Sequence, residues 1–272
     1  MPAIELARLK TQAARLADKF GEPEVFLHDL NELLDHYTNR TIRTTQTIQR
    51  LAAPTYHTPR PVLRQIEGEL AVLAENQPAK AVTLSKVLWK AGSLESRLLA
   101  AYLLGNIPSD QAGPALTSLP GWLVKSTDKE IQTALLTTAL TRLRREKPDE
   151  FFLLLEGWLD SPQPAQQVWG MQALIPLLQD PHFENLPAVF RILGPAIKRL
   201  APATQLEFQA CLGALERVSL TETVAFLREI VSKAPSPIML RILRRMLPGL
   251  SPKLQEALRE ILRTQDNQAS LF

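Results

Sequence analysis

The chain has 272 residues, of which 45% are hydrophobic and 22% are charged, and its formal net charge is +3. These proportions are those of an ordinary folded protein with a hydrophobic core. The single cysteine excludes an internal disulfide bond, and no apolar run reaches the roughly 20 residues that span a membrane.

Helix-forming residues dominate the composition, whereas Gly is limited to 11 residues and alternating runs of β-branched residues are almost absent. A first helix is predicted over about Ile4–Phe20, with its apolar residues on one face. Residues 21–23 end it and begin a second helix, and residues 38–51 are compatible with further helix. Three prolines then fall within residues 54–61, which a helix interior does not tolerate. We therefore predict an N-terminal helical cap or subdomain over residues 1–52.

A regular alternation of helical segments and short breaks begins at Pro61 and defines a predicted repeat domain over residues 53–263. Trp89, Trp122 and Trp158 recur at intervals of about 35 residues, which is typical of a two-helix repeat. A single helix pair cannot cover its own apolar face, so neighbouring pairs must stack. The predicted fold is all-α, a HEAT-like α-solenoid of stacked antiparallel helix pairs, and we expect a monomer.

The N-terminus lacks the basic and then apolar pattern of a signal peptide, and the lone Cys211 lies in an apolar helical stretch. Cys211 is therefore expected to be a small buried hydrophobic residue. Together with the absence of a membrane-spanning run, these features predict a cytoplasmic protein that does not associate with a membrane.

Catalytic and cofactor motifs are missing from the sequence: there is no P-loop, dinucleotide glycine pattern, nucleophile elbow or Cys-x-x-Cys pair. His28 and His36 lie two helical turns apart, beside Asp29 and Asp35, and these residues are expected to form a solvated polar face. We therefore expect neither a metal site nor a cofactor.

Acidic residues cluster around Asp128 and Glu130 and at Asp149-Glu150, in both cases where a helix is predicted to begin. Acids at such positions satisfy free backbone amides and oppose the positive end of the helix dipole. That structural role is the expected one, with Asp128 and Glu130 kept as weak catalytic candidates.

Basic residues are concentrated in the C-terminal half, where residues 191–245 carry nine bases and four acids. Such a stretch is either a solvated surface or a set of cations that follows a phosphate backbone. The candidate DNA-binding residues are Arg60, Arg64, Arg97, Arg217, Arg241, Arg244 and Arg245.

Three further patterns lie between Tyr56 and Leu193. They are Pro59-Arg60-Pro61, the run Leu88-Trp89 with Gly92, Glu95 and Arg97, and Trp158 followed by Ser161. They resemble the framework of the bacterial HEAT-like DNA alkylation repair proteins, the alkylpurine DNA glycosylase family. The resemblance implies an α-solenoid that binds double-stranded DNA.

Members of that family that excise bases use tryptophans to hold the lesion and an aspartate to stabilise the developing sugar cation. The corresponding region here, residues 126–133, contains no tryptophan, and neither Asp128 nor Glu130 matches the catalytic position without a gap. The family's Gly-Trp-x-x-Arg pattern reads Gly213-Ala214-Leu215-Glu216-Arg217, with alanine replacing tryptophan. The resemblance therefore supports the scaffold and DNA binding, whereas base excision requires a rearranged site.

The last residues form a predicted mobile tail over residues 264–272, after a helix that ends near Arg263. Gln268-Ala269-Ser270-Leu271-Phe272 resembles the pentapeptide by which bacterial polymerases and repair proteins dock on the replication sliding clamp. Gln268 would then bond at the mouth of the clamp's pocket, and Leu271 and Phe272 would fill it. Alternatively, Leu271 and Phe272 fold back on the last helix pair.

Three functional hypotheses follow. The first is a DNA-binding protein related to alkylation-damage repair, recruited by the sliding clamp, with catalysis uncertain or lost. The second is a non-catalytic helical scaffold for protein–protein interaction without a DNA role. The third is an active glycosylase that uses Asp128 or Glu130.

Overall fold

The computed structural model describes residues 5–38, 53–233 and 235–269, and these residues form helices joined by short turns, with no strand among them. The all-α prediction is therefore confirmed for this part of the chain. Residues 39–51 of the predicted further helix and the boundary at residue 52 lie outside the described residues. The chain divides into two compact units, residues 1–147 and 148–272, and this division falls within the predicted repeat domain.

The helices of unit 1 begin with the two predicted at the N-terminus. They are α1 (Leu6–Ala17), α2 (Pro23–His36), α3 (Arg60–Asn76), α4 (Pro78–Ala91), α5 (Leu94–Asn106), α6 (Gly113–Leu116), α7 (Leu119–Lys125), α8 (Lys129–Thr137) and α9 (Thr141–Glu146).

Unit 1 is built from helices that pack with both sequence neighbours and more distant partners. Helix α1 packs on α2 and α3, α2 packs on α4, α3 packs on α5, and α5 packs on α8 and α9. Proline at the first or second position begins α2, α3 and α4, where the missing N–H is not needed. Gly92 ends α4 in the left-handed conformation (φ 89°), which glycine adopts without strain. Ser93 is the N-cap of α5, and its hydroxyl accepts a hydrogen bond from the Ser96 amide.

Unit 2 also consists of helices joined by short turns. Its helices are α10 (Pro148–Leu159), α11 (Pro164–Leu178), α12 (Leu186–Lys198), α13 (Gln205–Val218), α14 (Leu220–Ser232), α15 (Pro237–Met246) and α16 (Pro252–Ala269).

The helices of unit 2 form two rows. Helix α11 packs on α13, and α13 packs on α15, whereas α10 packs on α12, α12 on α14, and α14 on α16. Pairs of consecutive helices, such as α10 with α11 and α13 with α14, join the rows. Gly170 of α11 allows a close approach to α10, because a Cβ there would lie 2.7 Å from Leu159 Cγ. Packed helix pairs, as predicted, therefore make up this unit.

The described residues of each unit contain a similar contact between a serine carbonyl and the glutamine six residues later. In unit 1, Gln132 Nε2 donates to the carbonyl of Ser126 at 2.7 Å, and in unit 2, Gln167 Nε2 donates to the carbonyl of Ser161 at 2.8 Å. Each contact follows a Trp-Leu pair and joins a helix to the serine that lies three positions before its first residue. The repeat that the tryptophans indicate thus extends to a polar contact that the tryptophans alone do not predict.

Helix α16 extends six residues beyond its predicted end near Arg263, to Ala269. Residues 264–267 are therefore helical rather than an irregular leader. Thr264 Oγ1 donates to the carbonyl of Glu260, and the Asp266 carboxylate accepts a bond from Arg244 Nη2 at 2.5 Å. The first contact lies within α16, and the second joins the end of α16 to α15.

Cys211 is fully buried in α13, as predicted. Its Sγ donates to the carbonyl of Met171 at 3.1 Å, and burial raises the pKa of the thiol to about 12. The thiol is therefore a packing residue rather than a nucleophile. Among the described helices, none has both the length and the apolar character needed to cross a membrane.

Candidate nucleic-acid interface

The proline-rich segment before α3 is held in place by one buried carboxylate. Glu95, in the first turn of α5, is only 2% exposed. Its Oε1 accepts bonds from Thr55 Oγ1 at 2.8 Å and from the Thr58 amide at 3.3 Å, and its Oε2 accepts one from the Tyr56 amide at 3.2 Å. The Leu94 amide also donates to the carbonyl of Pro54 at 2.7 Å. These bonds fix the chain immediately before Arg60, the first residue of α3.

Arg60 lies at a polar cavity of about 580 Å³ in unit 1. Its guanidinium forms an ion pair with Glu130, whose side chain comes from the first turn of α8. The charged residues that line the cavity are Arg60, Glu67, Lys129 and Glu130. Thr133, Thr137 and Thr138 add hydroxyl groups. The cavity therefore brings together one predicted DNA-binding residue and one catalytic candidate.

Glu67 is the partly buried carboxylate of this cavity. Burial raises the pKa of Glu67, and the positive charges of Arg60 and Arg64 oppose that shift without cancelling it. A neutral carboxylic acid can donate a hydrogen bond, so Glu67 adds a polar group that accepts or donates according to pH. No motif or spacing in the sequence indicates Glu67 as a site residue.

Asp128 has the structural role that its position predicts. It is the N-cap of α8, and its Oδ1 accepts bonds from the amides of Glu130 at 2.8 Å and Ile131 at 3.3 Å. Asp149 and Glu150 likewise lie in the first turn of α10. Both acidic pairs thus lie where helices begin, as predicted. Asp128 is held by the backbone, and Glu130 by Arg60.

The four tryptophans are buried, each between 6% and 8% exposed. Trp89 and Trp122 stack with ring centroids 4.4 Å apart and planes 2° apart, and Trp158 meets Trp169 edge to face. The Arg97 guanidinium carbon lies 4.9 Å from the centroid of the Trp89 ring, and Arg97 Nε is buried without a hydrogen-bond partner in the described structure. Arg97 therefore packs against the tryptophan stack.

An arginine-rich surface lies on α15 in unit 2. One side of this helix is buried through Met239, Ile242, Leu243 and Met246. The other side carries Arg241, Arg244 and Arg245, all exposed, and the helix contains no acidic residue. Arg244 is bound to Asp266, as described above. We call Arg241, Arg244 and Arg245 the α15 arginine surface.

Arg217 lies in the last turn of α13 and is exposed. It ends an exposed stripe of α13 that also contains Leu206 and Ala210, and α13 packs on α15. Packed helices lie about 8–10 Å apart, a distance that arginine side chains can bridge. The predicted DNA-binding residues thus divide between the units, with Arg60, Arg64 and Arg97 in unit 1 and Arg217 with the α15 arginine surface in unit 2.

His28, Asp29 and Glu32 are the one group of three potential metal ligands among the residues that the structure describes. Their ligand atoms lie within 4.8 Å of one another, and His28 Nε2 is 3.4 Å from Glu32 Oε1. His28 and Glu32 are exposed on α2, which matches the predicted solvated face. Of the clamp-binding candidates, Leu271 and Phe272 lie outside the described residues, as does the side chain of Gln268.

Comparisons with family models, with curated proteins and with solved structures find no match to this chain.

Proposed function

We propose that the chain is a DNA-binding helical-repeat protein with a HEAT-like solenoid architecture, related to alkylation-damage repair proteins. The α15 arginine surface carries the proposal. Three arginines lie on a ten-residue helix that carries no acid, and of these Arg241 and Arg245 are not in the ion pair with Asp266. Arg217 lies on α13, which packs on α15. Cations in such an array bind duplex DNA by replacing counterions along the phosphates, without sequence recognition.

The arrangement of unit 1 favours binding over base excision. Excision requires an anion placed against the reacting sugar. Asp128 is held by two backbone amides, and Glu130 is neutralised by Arg60. The four tryptophans are at most 8% exposed and so present no open ring face on which a base could stack. An active glycosylase with a rearranged site would need Glu130 to separate from Arg60. Release of bases from alkylated DNA by the unmodified chain, together with loss of this activity in Glu130→Gln, would favour an active glycosylase.

The double substitution Arg241→Ala/Arg245→Ala is expected to weaken DNA binding and its dependence on salt. Each lost phosphate contact lowers the slope of log K against log salt by about 1, so the double variant should lose about 2. Fluorescence polarisation with a labelled DNA duplex at several salt concentrations measures both quantities. Arg259→Ala/Arg263→Ala on α16 is the matched control, because it removes the same charge from exposed positions. Absent or salt-independent binding by the unmodified chain would instead favour the protein scaffold.

We also propose that the sliding clamp recruits the chain through Gln268, Leu271 and Phe272. Gln268 and Ala269, the first two residues of the pentapeptide, are the last two residues of α16. Removing residues 268–272 is expected to abolish binding to the purified clamp in surface plasmon resonance, while DNA binding persists. Leu271→Ala/Phe272→Ala should have the same effect without shortening the chain. Clamp binding that survives either change would contradict this proposal.

A further inference from the structure

A groove between α12 and α14 lies on the row of unit 2 that does not contain α15. Its volume is about 270 Å³. Phe190 of α12 and Phe226 of α14 stack at its base, with ring centroids 4.4 Å apart and planes 18° apart. Phe226 is buried, whereas Phe190 is half-buried and remains open to the groove. The groove thus offers a fixed aromatic surface to a ligand.

Two residues of α12 keep the groove open and provide a polar contact. A Cβ added to Gly194 would meet no atom within 4 Å, so the missing side chain leaves free space. Pro195 lies inside the helix and has no N–H. The helical bond that residue 195 would donate to the carbonyl of Arg191 is therefore missing, and that carbonyl can accept a bond from elsewhere.

Positively charged side chains surround the stacked phenylalanines at the bottom of the groove. Arg191, Lys198 and Lys233 line the groove and are exposed, and Glu229 is the one acid in its lining. The pKa of Glu229 is lowered by the hydrogen bond from Lys233 Nζ, at 2.5 Å, and then by the charges of Lys233 and Lys198.

The ion pairs of the groove do not fully neutralise its positive charge. Besides the Lys233–Glu229 pair, Arg191 Nη1 lies 3.6 Å from Glu156. Both pairs are largely exposed, and exposed pairs are weak. The cations therefore remain available to an incoming anion.

We propose that this groove docks an acidic peptide segment of a partner protein, which inserts one aromatic or aliphatic side chain against Phe190. The volume is below the range of about 300–1,000 Å³ typical of small-molecule pockets, and it suits one or two side chains. A buried aromatic anchor within a charged rim is the usual form of an interaction hot spot. Duplex DNA carries no apolar side chain that could insert against Phe190 at the bottom of the groove. The groove is thus an interaction surface separate from the α15 arginine surface and independent of the proposed DNA role.

The test uses the full chain and a fluorescein-labelled decapeptide of glutamate and serine with one central phenylalanine. Two matched probes replace the phenylalanine with serine or every glutamate with lysine. Polarisation should show binding of the first probe alone, and Gly194→Leu, which fills the groove, should weaken it at least about tenfold. Gly157→Leu on α10 is the control, because a Cβ there also meets no neighbour.

Phe190→Ala provides a second variant that removes the anchor surface without adding bulk, and thermal unfolding checks that each variant is folded. Loss of binding in folded Gly194→Leu and folded Phe190→Ala would support the proposal. Equal binding of the lysine probe, no binding of the acidic probe, or binding unchanged by both variants would overturn it. Competition by duplex DNA that is itself lost in Gly194→Leu would overturn it too, by assigning the groove to nucleic acid.

Discussion

Replacing Gly105 with alanine is expected to lower the free energy of unfolding by about 3 kcal/mol, as overpacking at a close helix contact does. A Cβ at this position of α5 would lie 2.0 Å from the carbonyl oxygen of Thr138 and 2.9 Å from its carbon. Both are backbone atoms at the end of α8, so relief requires the two helices to move apart. That movement would loosen the apolar contact between α5 and α8. Urea unfolding followed by circular dichroism measures the loss.

The matched control is Gly68→Ala in α3, in the same unit. A Cβ at Gly68 meets no atom within 4 Å, so only the helix propensity changes. Alanine should therefore raise the free energy of unfolding by about 0.5–1 kcal/mol. If Gly105→Ala were as stable as Gly68→Ala, the close approach of α5 and α8 would be refuted.

Helix positions could be predicted from the sequence because their determinants are local. The cap Ser93, the prolines that begin α2 to α4, and the acids at the start of α8 and α10 each act within one turn. The predicted end of α16, near Arg263, is six residues short because this end depends on a contact with another helix. Asp266 is paired with Arg244 on another helix, and no pattern within residues 264–267 reveals that partner.

The spacing of the tryptophans correctly predicts packed helix pairs, but it does not predict which tryptophans contact each other. Recurrence at a fixed interval indicates equivalent positions of successive helix pairs, and this is sufficient to predict packed pairs. That Trp89 stacks on Trp122, whereas Trp158 meets Trp169, depends on which helices become neighbours in space. Periodicity carries no information about this choice.

The candidate site shows the same limit. Arg60 was predicted as a phosphate-binding residue and Glu130 as a weak catalytic candidate, on independent grounds. The structure pairs them, because the start of α3 and the start of α8 line one cavity. Each residue alters the chemistry of the other: Arg60 neutralises the anion, and Glu130 competes with phosphate for the cation. Residue type alone predicted the charges but could not predict their pairing.

Glu95→Ala is expected to destabilise unit 1 by about 3 kcal/mol, because it removes the acceptor of three hydrogen bonds from a nearly water-free position. Glu95→Gln should cost less, since the amide keeps one acceptor oxygen and the shape of the side chain. Urea unfolding measures both losses. Glu24→Ala is the control, because Glu24 occupies the same position in the first turn of α2 but is exposed. Its loss should stay within about 0.5 kcal/mol.

A second measurement separates the role of Glu95 in positioning residues 55–58 from its general contribution to stability. Under native conditions, chymotrypsin should cut after Tyr56 faster in Glu95→Ala than in the unmodified chain, since the bonds to the Tyr56 and Thr58 amides are gone. Gly105→Ala provides the comparison, because it is expected to be equally destabilised but keeps those bonds. Cleavage after Tyr56 that rises equally in both variants would mean that Glu95 does not specifically hold the segment before Arg60. A selective rise in Glu95→Ala would make this buried carboxylate the residue that sets the approach of Arg60 to the cavity.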